Sequence, residues 1–469
     1  MSYTDINTLR NDINRDIKTN TTRSMTGAMV REYLFGLCDV ASTICDTQGH
    51  GLPYYGVSWK FASDGSATIR RIGNPIMHQA LPIQSKMRGC VLRLDGTVNY
   101  YLFPYDWKYK DDGYTPSVLT GGDGDVMVEI PDFWYSYEID NNGLNTLLIS
   151  EFNLNGYSEN NVTRTWTKFS KCYLGAYKAQ INTNGMLQSI ADTFAANSGH
   201  NNYGNTSSTS LINFRDYARR KVTNDNRWNV ITYAMRKAIW MLFVTEYATL
   251  NSQENFNSQL TVDGYRQGGL GVGITNGTSA GNIGTYAQTK TGYSNEYGNF
   301  SIGTLDLTAS DIYTGSTLNT NNKKCRYRGI ENPFGEVWEW TDGVYVTNYE
   351  AYEVIDKSNF TKLTASSYTG TVATECRAIG GVERTGGGHS IKTIIGDKYC
   401  DILPTEVSDE TSGSKYYRDG WWINSDFRGV PFGGHAAAGA RAGLASASAI
   451  NAPSAATAVI GSRLAYIPD

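Results

Sequence analysis

The chain has 469 residues, a formal net charge of −4 and only 18% charged residues. A charge this small and balanced excludes an electrostatic nucleic-acid binder, so no nucleic-acid partner is expected. No run of the ~18 apolar residues that would span a bilayer is present, and membrane insertion is not expected either. The length predicts two or three domains.

The first five residues lack the basic start and apolar core of a secretion signal, which predicts a protein made in the cytoplasm. Glycine (49 residues) and tyrosine (32 residues) are abundant, which is typical of a loop-rich protein with short strands. The seven cysteines are scattered and form no Cys-x-x-Cys pair, which argues against a zinc site or a full disulfide framework. Free thiols are expected, with a Cys376–Cys400 disulfide as the alternative.

Residues 4–19 are predicted to form an amphipathic helix, because their apolar residues recur every three or four positions. A second helix is predicted from Ser24 or Thr26 to about Val40. A helix like the first is marginal in water by itself, so we expect several copies to pack in a parallel bundle. A frayed arm is the alternative. Residues 1–45 are therefore predicted to be a helical oligomerisation segment.

Residues 46–148 are predicted to form a β-rich domain, since short apolar or alternating runs are separated by turn residues. The predicted strands are residues 54–59, 67–72, 90–94, 97–102 and 126–131. Asp95 and Gly96 mark a hairpin turn between the third and fourth of them. The loop from Gly121 to Asp125 lacks EF-hand spacing, so a plain turn is expected there and calcium binding is the alternative.

The clearest helix in the sequence is predicted over residues 228–250, with Asn224 or Asp225 as its cap and one apolar stripe directed at a core. The five histidines show no spacing typical of a metal site. They are His50, His78, His200, His389 and His435. Several carboxylates are candidates for the acid and base pair of a glycosidase, although their spacing gives no positive support. They are Asp106, Asp123, Glu129, Asp132, Glu336, Glu339 and Asp342.

One motif carries a family resemblance. Residues 329–343 contain Asn332, Gly335, Trp338 and Trp340 in an Asn-x-x-Gly-x-Val-Trp-Glu-Trp pattern, in which both tryptophans face one side of a strand. This pattern resembles the signature of the formylglycine-generating-enzyme-like branch of the C-type lectin fold. Gly461 and Arg463 are similar to the closing strand of that family. The resemblance implies an α+β chain with short N-terminal helices, a β-rich middle domain and a C-terminal C-type lectin fold over residues 149–469.

The chain departs from the enzymes of that branch, because no cysteine follows Cys400 and the cysteine pair of the oxidases is missing. Oxidase activity is therefore not expected. Members without these cysteines include the variable proteins that retroelements diversify by adenine-directed mutagenesis. Residues 433–461 resemble such a variable region: a glycine and alanine frame alternates with residues reachable from an adenine-rich codon, and Lys, Glu, Gln, Met and Trp are absent from 435–460. A floppy Ala/Ser tail is the alternative.

The resemblance implies that a set of side chains in this region contacts a receptor. They are His435, Ala437, Ala438, Arg441, Ser446, Ser448, Ile450, Ala455, Thr457 and Val459. The excess of alanine departs from diversified surfaces rich in tyrosine and asparagine. We therefore expect this variant to bind weakly or to bind an apolar patch.

The resemblance implies a phage tail-fibre protein that attaches the virion to a bacterial surface receptor, either protein or glycan. From fibre geometry we expect a homotrimer, which docks on other tail proteins through residues 1–45. We expect adhesion without catalysis and without a cofactor, with calcium as the open alternative. A tail-fibre enzyme that hydrolyses surface glycan, or a purely structural fibre or baseplate protein, are the other interpretations.

Overall fold

The computed structural model describes residues 51–62, 67–159, 161–197, 209–254, 257–262, 264–270, 289–308, 311, 323–354, 376–408, 417–457 and 459–469. The architecture is mixed and strand-rich. Both predicted N-terminal helices fall within residues 1–50, outside the described part of the chain. Within the described part, no helix is long and apolar enough to cross a bilayer.

The first half of the described chain consists mostly of strands. These are β1 (Tyr55–Phe61), β2 (Ala67–Gly73), β3 (Arg88–Leu92), β4 (Val98–Tyr101), β5 (Asp125–Ile130), β6 (Phe133–Ile139), β7 (Leu144–Ser150), β8 (Ser158–Glu159), β9 (Val162–Thr163), β10 (Thr167–Phe169), β11 (Cys172–Gly175), β12 (Gln180–Ile181) and β13 (Leu187–Gln188). A short helix, α1 (Pro75–Ala80), follows β2. The predicted strands of this region are confirmed to within two residues at each end, and Gly96 turns the β3–β4 hairpin with φ +84°.

The second half adds two helices, α2 (Leu211–Arg219) and α3 (Tyr233–Tyr247), and short strands around them. The strands are β14 (Trp228–Val230), β15 (Asn257–Leu260), β16 (Arg266–Gln267), β17 (Ile302–Asp306), β18 (Lys323–Tyr327), β19 (Ile330–Glu331), β20 (Trp338–Thr347), β21 (Glu350–Val354), β22 (Cys376–Gly381), β23 (His389–Ile394), β24 (Pro404–Ser408), β25 (Gly420–Ile423), β26 (Arg428–Phe432), β27 (Ala447–Ala449), β28 (Ile460–Gly461) and β29 (Leu464–Tyr466).

Three sheets make up most of the structure. The first has the order β10-β6-β7-β1-β2, and the central sheet has the order β14-β29-β11-β5-β3-β4. The largest sheet runs β22-β21-β20-β26-β27-β25-β23-β24, with β28 paired in parallel to β20. Their buried faces share one extensive apolar cluster that reaches from Tyr55 to Ala465.

The central sheet joins strands that are far apart in sequence. Strand β29 lies between β14 and β11, and β11 pairs with β5. Strands from residues 46–148 and from 149–469 are therefore hydrogen-bonded in the same sheet, and the predicted boundary at 148/149 falls inside β7. The division into three domains stays a prediction.

Helix α3 begins later than the sequence predicted. Residues 228–230 form strand β14, which pairs with the C-terminal strand β29, and the helix starts after Thr232. The side chain of Thr232 accepts a hydrogen bond from the Met235 N–H, so the predicted caps at Asn224 and Asp225 are wrong. All helix residues except Ala234 are buried, so the core surrounds α3 instead of meeting one stripe. Pairing with β29 outweighed the helical periodicity of Trp228 and Val230.

The alternative of a disulfide between Cys376 and Cys400 is wrong, because the two sulfur atoms are not bonded to each other. Cys400 is a buried free thiol, and burial raises the pKa of that thiol well above its usual value. The thiol is therefore protonated at neutral pH, and it packs as a small apolar side chain in the core.

Candidate functional site

The alanine-rich segment 433–461 packs against the largest sheet as an ordered part of the fold. It contains a 3-10 turn, Ala436–Arg441, followed by β27, a loop and β28. Strand β27 pairs with both β25 and β26, and its core-facing residues Ala447 and Ala449 are buried. The alternative of a floppy tail is wrong over the described residues of this segment.

The glycines of this segment hold positions where a side chain does not fit. At Gly443, an added Cβ would lie 1.9 Å from the Oδ1 atom of Asp419. At Gly434, which has φ +76°, an added Cβ would lie 2.7 Å from Ala442. These contacts give a physical reason why the frame predicted from the sequence consists of glycine.

Three residues outside the segment anchor its backbone. The Asp419 carboxylate accepts a hydrogen bond from the Ala445 N–H at 2.7 Å, and the Ser252 hydroxyl accepts one from the Leu444 N–H at 2.9 Å. The Gln253 side-chain amide donates to the carbonyls of Gly439 and Ala442 at 2.9 and 2.6 Å. Burial raises the pKa of Asp419 to about 8. The loop is therefore held from beneath by buried polar groups.

Most of the predicted contact residues lie at the surface of this frame. Ala437 and Ile450 are exposed, and Ile450 shows 39% of its surface. The remaining surface positions are partly exposed. They are His435, Ala438, Arg441, Ala455, Thr457 and Val459. These eight residues are called the C-terminal face below.

The predicted contacts at Ser446 and Ser448 do not fit their position. Both side chains are buried, at 0% and 2% exposure. Ser448 pairs with Trp422 of the parallel neighbour strand, and the Ser446 hydroxyl donates to the Gly420 carbonyl. Ser446 and Ser448 alternate with the buried alanines Ala447 and Ala449 along and beside β27. Of the predicted contacts Ser446, Ser448 and Ile450, only Ile450 reaches solvent.

An aromatic group lies beside the C-terminal face. The rings of Trp338 and Trp422 meet edge to face with centroids 5.3 Å apart, and the His435 ring lies 6.1 Å from Trp338. Trp422 and His435 are half-buried, whereas Trp338 is 5% exposed. The backbone N–H of Trp338 donates to the Val459 carbonyl at 2.8 Å, which places Val459 beside the same group. The rings of Trp338, Trp422 and His435 therefore form an aromatic surface next to small side chains.

His435 makes the stability of this site dependent on pH. Burial lowers the pKa of His435 to about 4, whereas an exposed histidine titrates near ~6.5. The folded protein keeps this ring neutral while the unfolded chain takes up a proton, so the free energy of unfolding should fall as the pH drops from ~6.5 to about 4. Urea titrations across this window should show a smaller loss in His435→Gln. Identical losses in both proteins would contradict the assignment.

The motif residues of the sequence resemblance are buried in the structure. Asn332 donates to Glu336 at 2.9 Å and accepts from the Tyr293 hydroxyl at 3.0 Å. The Gly335 N–H donates to the Gly433 carbonyl at 2.9 Å. Trp338 and Trp340 pack in the same cluster, as predicted for two residues on one side of a strand. Through the hydrogen bond between Gly335 and Gly433, this motif supports the beginning of the segment 433–461.

The glutamate between the two tryptophans holds the C-terminal strand. Glu339 is fully buried and accepts from Lys178 at 2.8 Å, from Arg463 at 2.8 Å and from Arg236. Arg463 also donates to the backbone carbonyls of residues 175, 176, 331 and 332. Gly461 packs against the Ala196 carbonyl, which an added Cβ would approach to 2.7 Å. The closing strand is thus fixed by charge-assisted hydrogen bonds.

The buried carboxylates among the other candidates also form hydrogen bonds or ion pairs that stabilise the fold. Asp342 forms a bidentate pair with Arg215 at 2.6 and 2.7 Å. Glu336 accepts from the Thr289 N–H at 2.7 Å, and Glu129 accepts from the Tyr101 hydroxyl at 2.9 Å. These carboxylates make structural hydrogen bonds, so they do not support the hydrolase interpretation. Asp132 is exposed, and Asp106 and Asp123 are partly exposed.

The loop from Gly121 to Asp125 forms a turn, and its aspartates contact other side chains of the protein. Asp123 accepts from the Tyr100 hydroxyl at 2.8 Å, and the buried Asp125 pairs with Lys221 at 2.6 Å. Among the residues that the structure describes, no group of three or more His, Cys, Asp or Glu side chains is placed to hold a metal ion.

The sequence analysis did not identify several residues that support the candidate site. Trp422 lies in the short strand β25, where two adjacent tryptophans before the Gly433 frame were a usable signal. Ser252, Gln253 and Asp419 carried no signal, because their role depends on contacts with residues up to 192 positions away.

No protein-family model matches the sequence, and no curated protein matches it. Solved structures with weak similarity include three variants of one protein. The Major Tropism Determinant U1 Variant has 11% identity and a TM-score of 0.24, with 90% of this chain and 85% of that chain covered. The I1 Variant has 10% identity, a TM-score of 0.22 and the same coverage. The M1 Variant has 10% identity, a TM-score of 0.21 and coverages of 91% and 86%. TM-scores of this size do not establish a common fold.

Proposed function

We propose that the chain is a phage receptor-binding protein of the tail fibre, which attaches the virion to a bacterial surface receptor through the C-terminal face. The supporting observation is the separation of roles within residues 433–461. Buried glycines and core alanines fix the backbone, whereas the C-terminal face presents side chains that are partly or fully exposed to solvent. Such a division suits a surface whose specificity is altered by substitution.

The finer parts of this proposal rest on the sequence resemblance. They are the C-type lectin fold of residues 149–469, diversification by a retroelement and a homotrimer that docks on other tail proteins. Small side chains make each face a weak binder, and joining three faces in one fibre would raise the avidity by roughly 10² to 10⁴ if all can bind together. The DNA flanking the gene tests the diversification. A reverse-transcriptase gene and an adenine-substituted copy of the codons for residues 433–461 are expected there.

Binding to whole bacteria tests the proposed function. A library varied only at the eight residues of the C-terminal face is displayed on the full chain and selected on a panel of bacterial strains. We expect variants that gain or switch strains while their thermal unfolding stays within a few degrees of the starting protein. This expectation follows because surface substitutions away from special contacts usually change stability by less than about 0.5 kcal/mol.

A matched library at the exposed hairpin residues Asn141 and Asn142 serves as the control, and we expect it to leave strain specificity unchanged. If neither library changes attachment, the face is not the receptor site and a structural fibre role is favoured. Release of reducing sugar from cell-surface polysaccharide by the unselected protein would favour the hydrolase instead.

A further inference from the structure

A second site lies apart from the C-terminal face. It is a cavity of about 710 Å³ between the start of helix α3, strand β10 and the β21–β22 pair. Its volume falls within the range of about 300 to 1,000 Å³ that is typical of small-molecule sites. The exposed side chains of Lys168 and Asp469 stand at its edge, so the cavity is accessible from solvent. None of the eight residues of the C-terminal face lines it.

Aromatic rings form much of the cavity wall. Tyr135, Phe169 and Tyr233 are buried residues that contribute to this wall, and Tyr399 is partly exposed. The Tyr399 loop is held in place, because its backbone carbonyl accepts from the Tyr135 hydroxyl at 3.3 Å. The neighbouring Lys398 carbonyl accepts from the Thr167 hydroxyl at 3.1 Å. Rings held in this way offer flat surfaces on which the apolar face of a ligand can stack.

A buried ion-pair network forms the polar part of the cavity. Lys237 donates to Glu353 at 3.1 Å and to Asp401 at 3.3 Å, and Arg377 donates to the same two carboxylates. The Arg377 guanidinium also lies 4.1 Å from the centre of the Tyr399 ring. Arg377 also contacts the Asp397 carboxylate at 3.3 Å, so two cations face three carboxylates. Each of these carboxylates is already paired with Lys237 or Arg377, so a ligand needs no charge of its own to complete the network.

At least one hydrogen-bond donor of this network is not used within the described part of the protein. Within the described residues, the buried Nε of Arg377 has no hydrogen-bond partner, although a guanidinium offers five N–H donors in all. Both cations contact the Oε2 atom of Glu353. Thr167 and Ser170 add hydroxyl groups to the lining. Donors and acceptors thus lie side by side next to the aromatic rings.

We propose that this cavity binds a short neutral saccharide. The C–H face of a sugar ring stacks on aromatic side chains, and its hydroxyls need neighbouring donors and acceptors. The three carboxylates disfavour an acidic ligand, and a basic ligand would have to displace Lys237 or Arg377 from its ion pairs. A neutral nucleoside would also stack, but donors and acceptors spread over Lys237, Glu353 and Arg377 suit the several hydroxyls of a sugar better than the edge of one base.

The test is saturation-transfer NMR on the full chain. The neutral probes are glucose, galactose, mannose, rhamnose, N-acetylglucosamine, lactose and maltose, with glucuronic acid and adenosine as comparisons. At least one neutral sugar should receive saturation on its ring C–H protons and bind at millimolar or better affinity. Absence of binding by all seven sugars, or binding of adenosine alone, would overturn the proposal.

Blocking the cavity gives the decisive variant. Ala234 is exposed in the first turn of α3 and lines the cavity, so Ala234→Trp fills it without entering the core. We expect at least a tenfold loss of sugar affinity. The matched control is Ala80→Trp, at an exposed alanine that ends helix α1 outside the cavity, and it should bind as the parent does.

If Ala234→Trp fails to fold, Tyr399→Leu removes the partly exposed stacking ring and should cause a similar loss. Sugar binding that survives in the folded variant would place the sugar elsewhere and refute the cavity. Attachment to bacteria through the C-terminal face should persist in Ala234→Trp. Failure of this inference is therefore distinguishable from failure of the proposed function.

Discussion

Replacing Glu339 by glutamine should lower the free energy of unfolding by about 3–5 kcal/mol, as is typical when one partner of a buried ion pair is removed. The carboxylate is fully buried and accepts from Lys178, Arg236 and Arg463. An uncharged amide leaves these three cations without the anion that balances them. Its NH₂ group also places donors against donors. The C-terminal strand, which Arg463 ties to four backbone carbonyls, should loosen first.

Urea denaturation followed by tryptophan fluorescence measures this effect. The matched control is Glu406→Gln, because that carboxylate also pairs with a lysine, Lys392, at 3.0 Å but is 56% exposed. An exposed pair contributes at most about 1 kcal/mol, so the control should shift the midpoint little. Equal shifts in the two variants would mean that Glu339 does not hold the strand.

Replacing Gly443 by alanine should destabilise the protein by about 1–3 kcal/mol, the usual range for an added methyl group in a packed position. The new Cβ would lie 1.9 Å from the Oδ1 atom of Asp419. Asp419 must then move away, which breaks its hydrogen bond with the Ala445 N–H. The loop below the C-terminal face would lose one of its three anchoring residues, so attachment to bacteria should fall together with stability.

The comparison for this prediction is Ala437→Ser, at an exposed position of the same segment. It adds one atom where solvent surrounds the side chain, and its effect on stability should stay below about 0.5 kcal/mol. Thermal unfolding and cell attachment are measured for both variants. A Gly443→Ala protein with unchanged melting temperature would show that the segment can shift, and the idea of a fixed frame would fail.

Local patterns predicted the early strands well. Alternation in residues 54–59 and the Asp95-Gly96 turn depend on neighbours in sequence, and both are present in the structure. The prediction of helix α3 was wrong at its start, because Trp228 and Val230 pair with a strand more than 230 residues later. The helical periodicity was measured over a short stretch of sequence, which does not include the partner strand β29.

The candidate site shows the same limit. The family resemblance put Ser446, Ser448 and Ile450 among the contact residues, but the sequence did not show that Trp422 pairs alongside Ser448 and that both serines are buried. Glu339 was considered as a possible acid or base. Its structural role became clear only when Lys178, Arg236 and Arg463, from three distant segments, were found around it.

The position of β29 has a consequence for how the protein is made. This strand lies between β14 and β11 in a sheet whose other members are synthesised hundreds of residues earlier. On the ribosome, the edges of β11 and β14 that face β29 stay unpaired until residue 466 has emerged, which is 238 residues after Trp228, the residue with which Tyr466 pairs. Late closure of distant pairings slows folding and leaves strand edges open to aggregation. Expression yield should therefore depend on temperature and on chaperones more than the stability of the finished protein does.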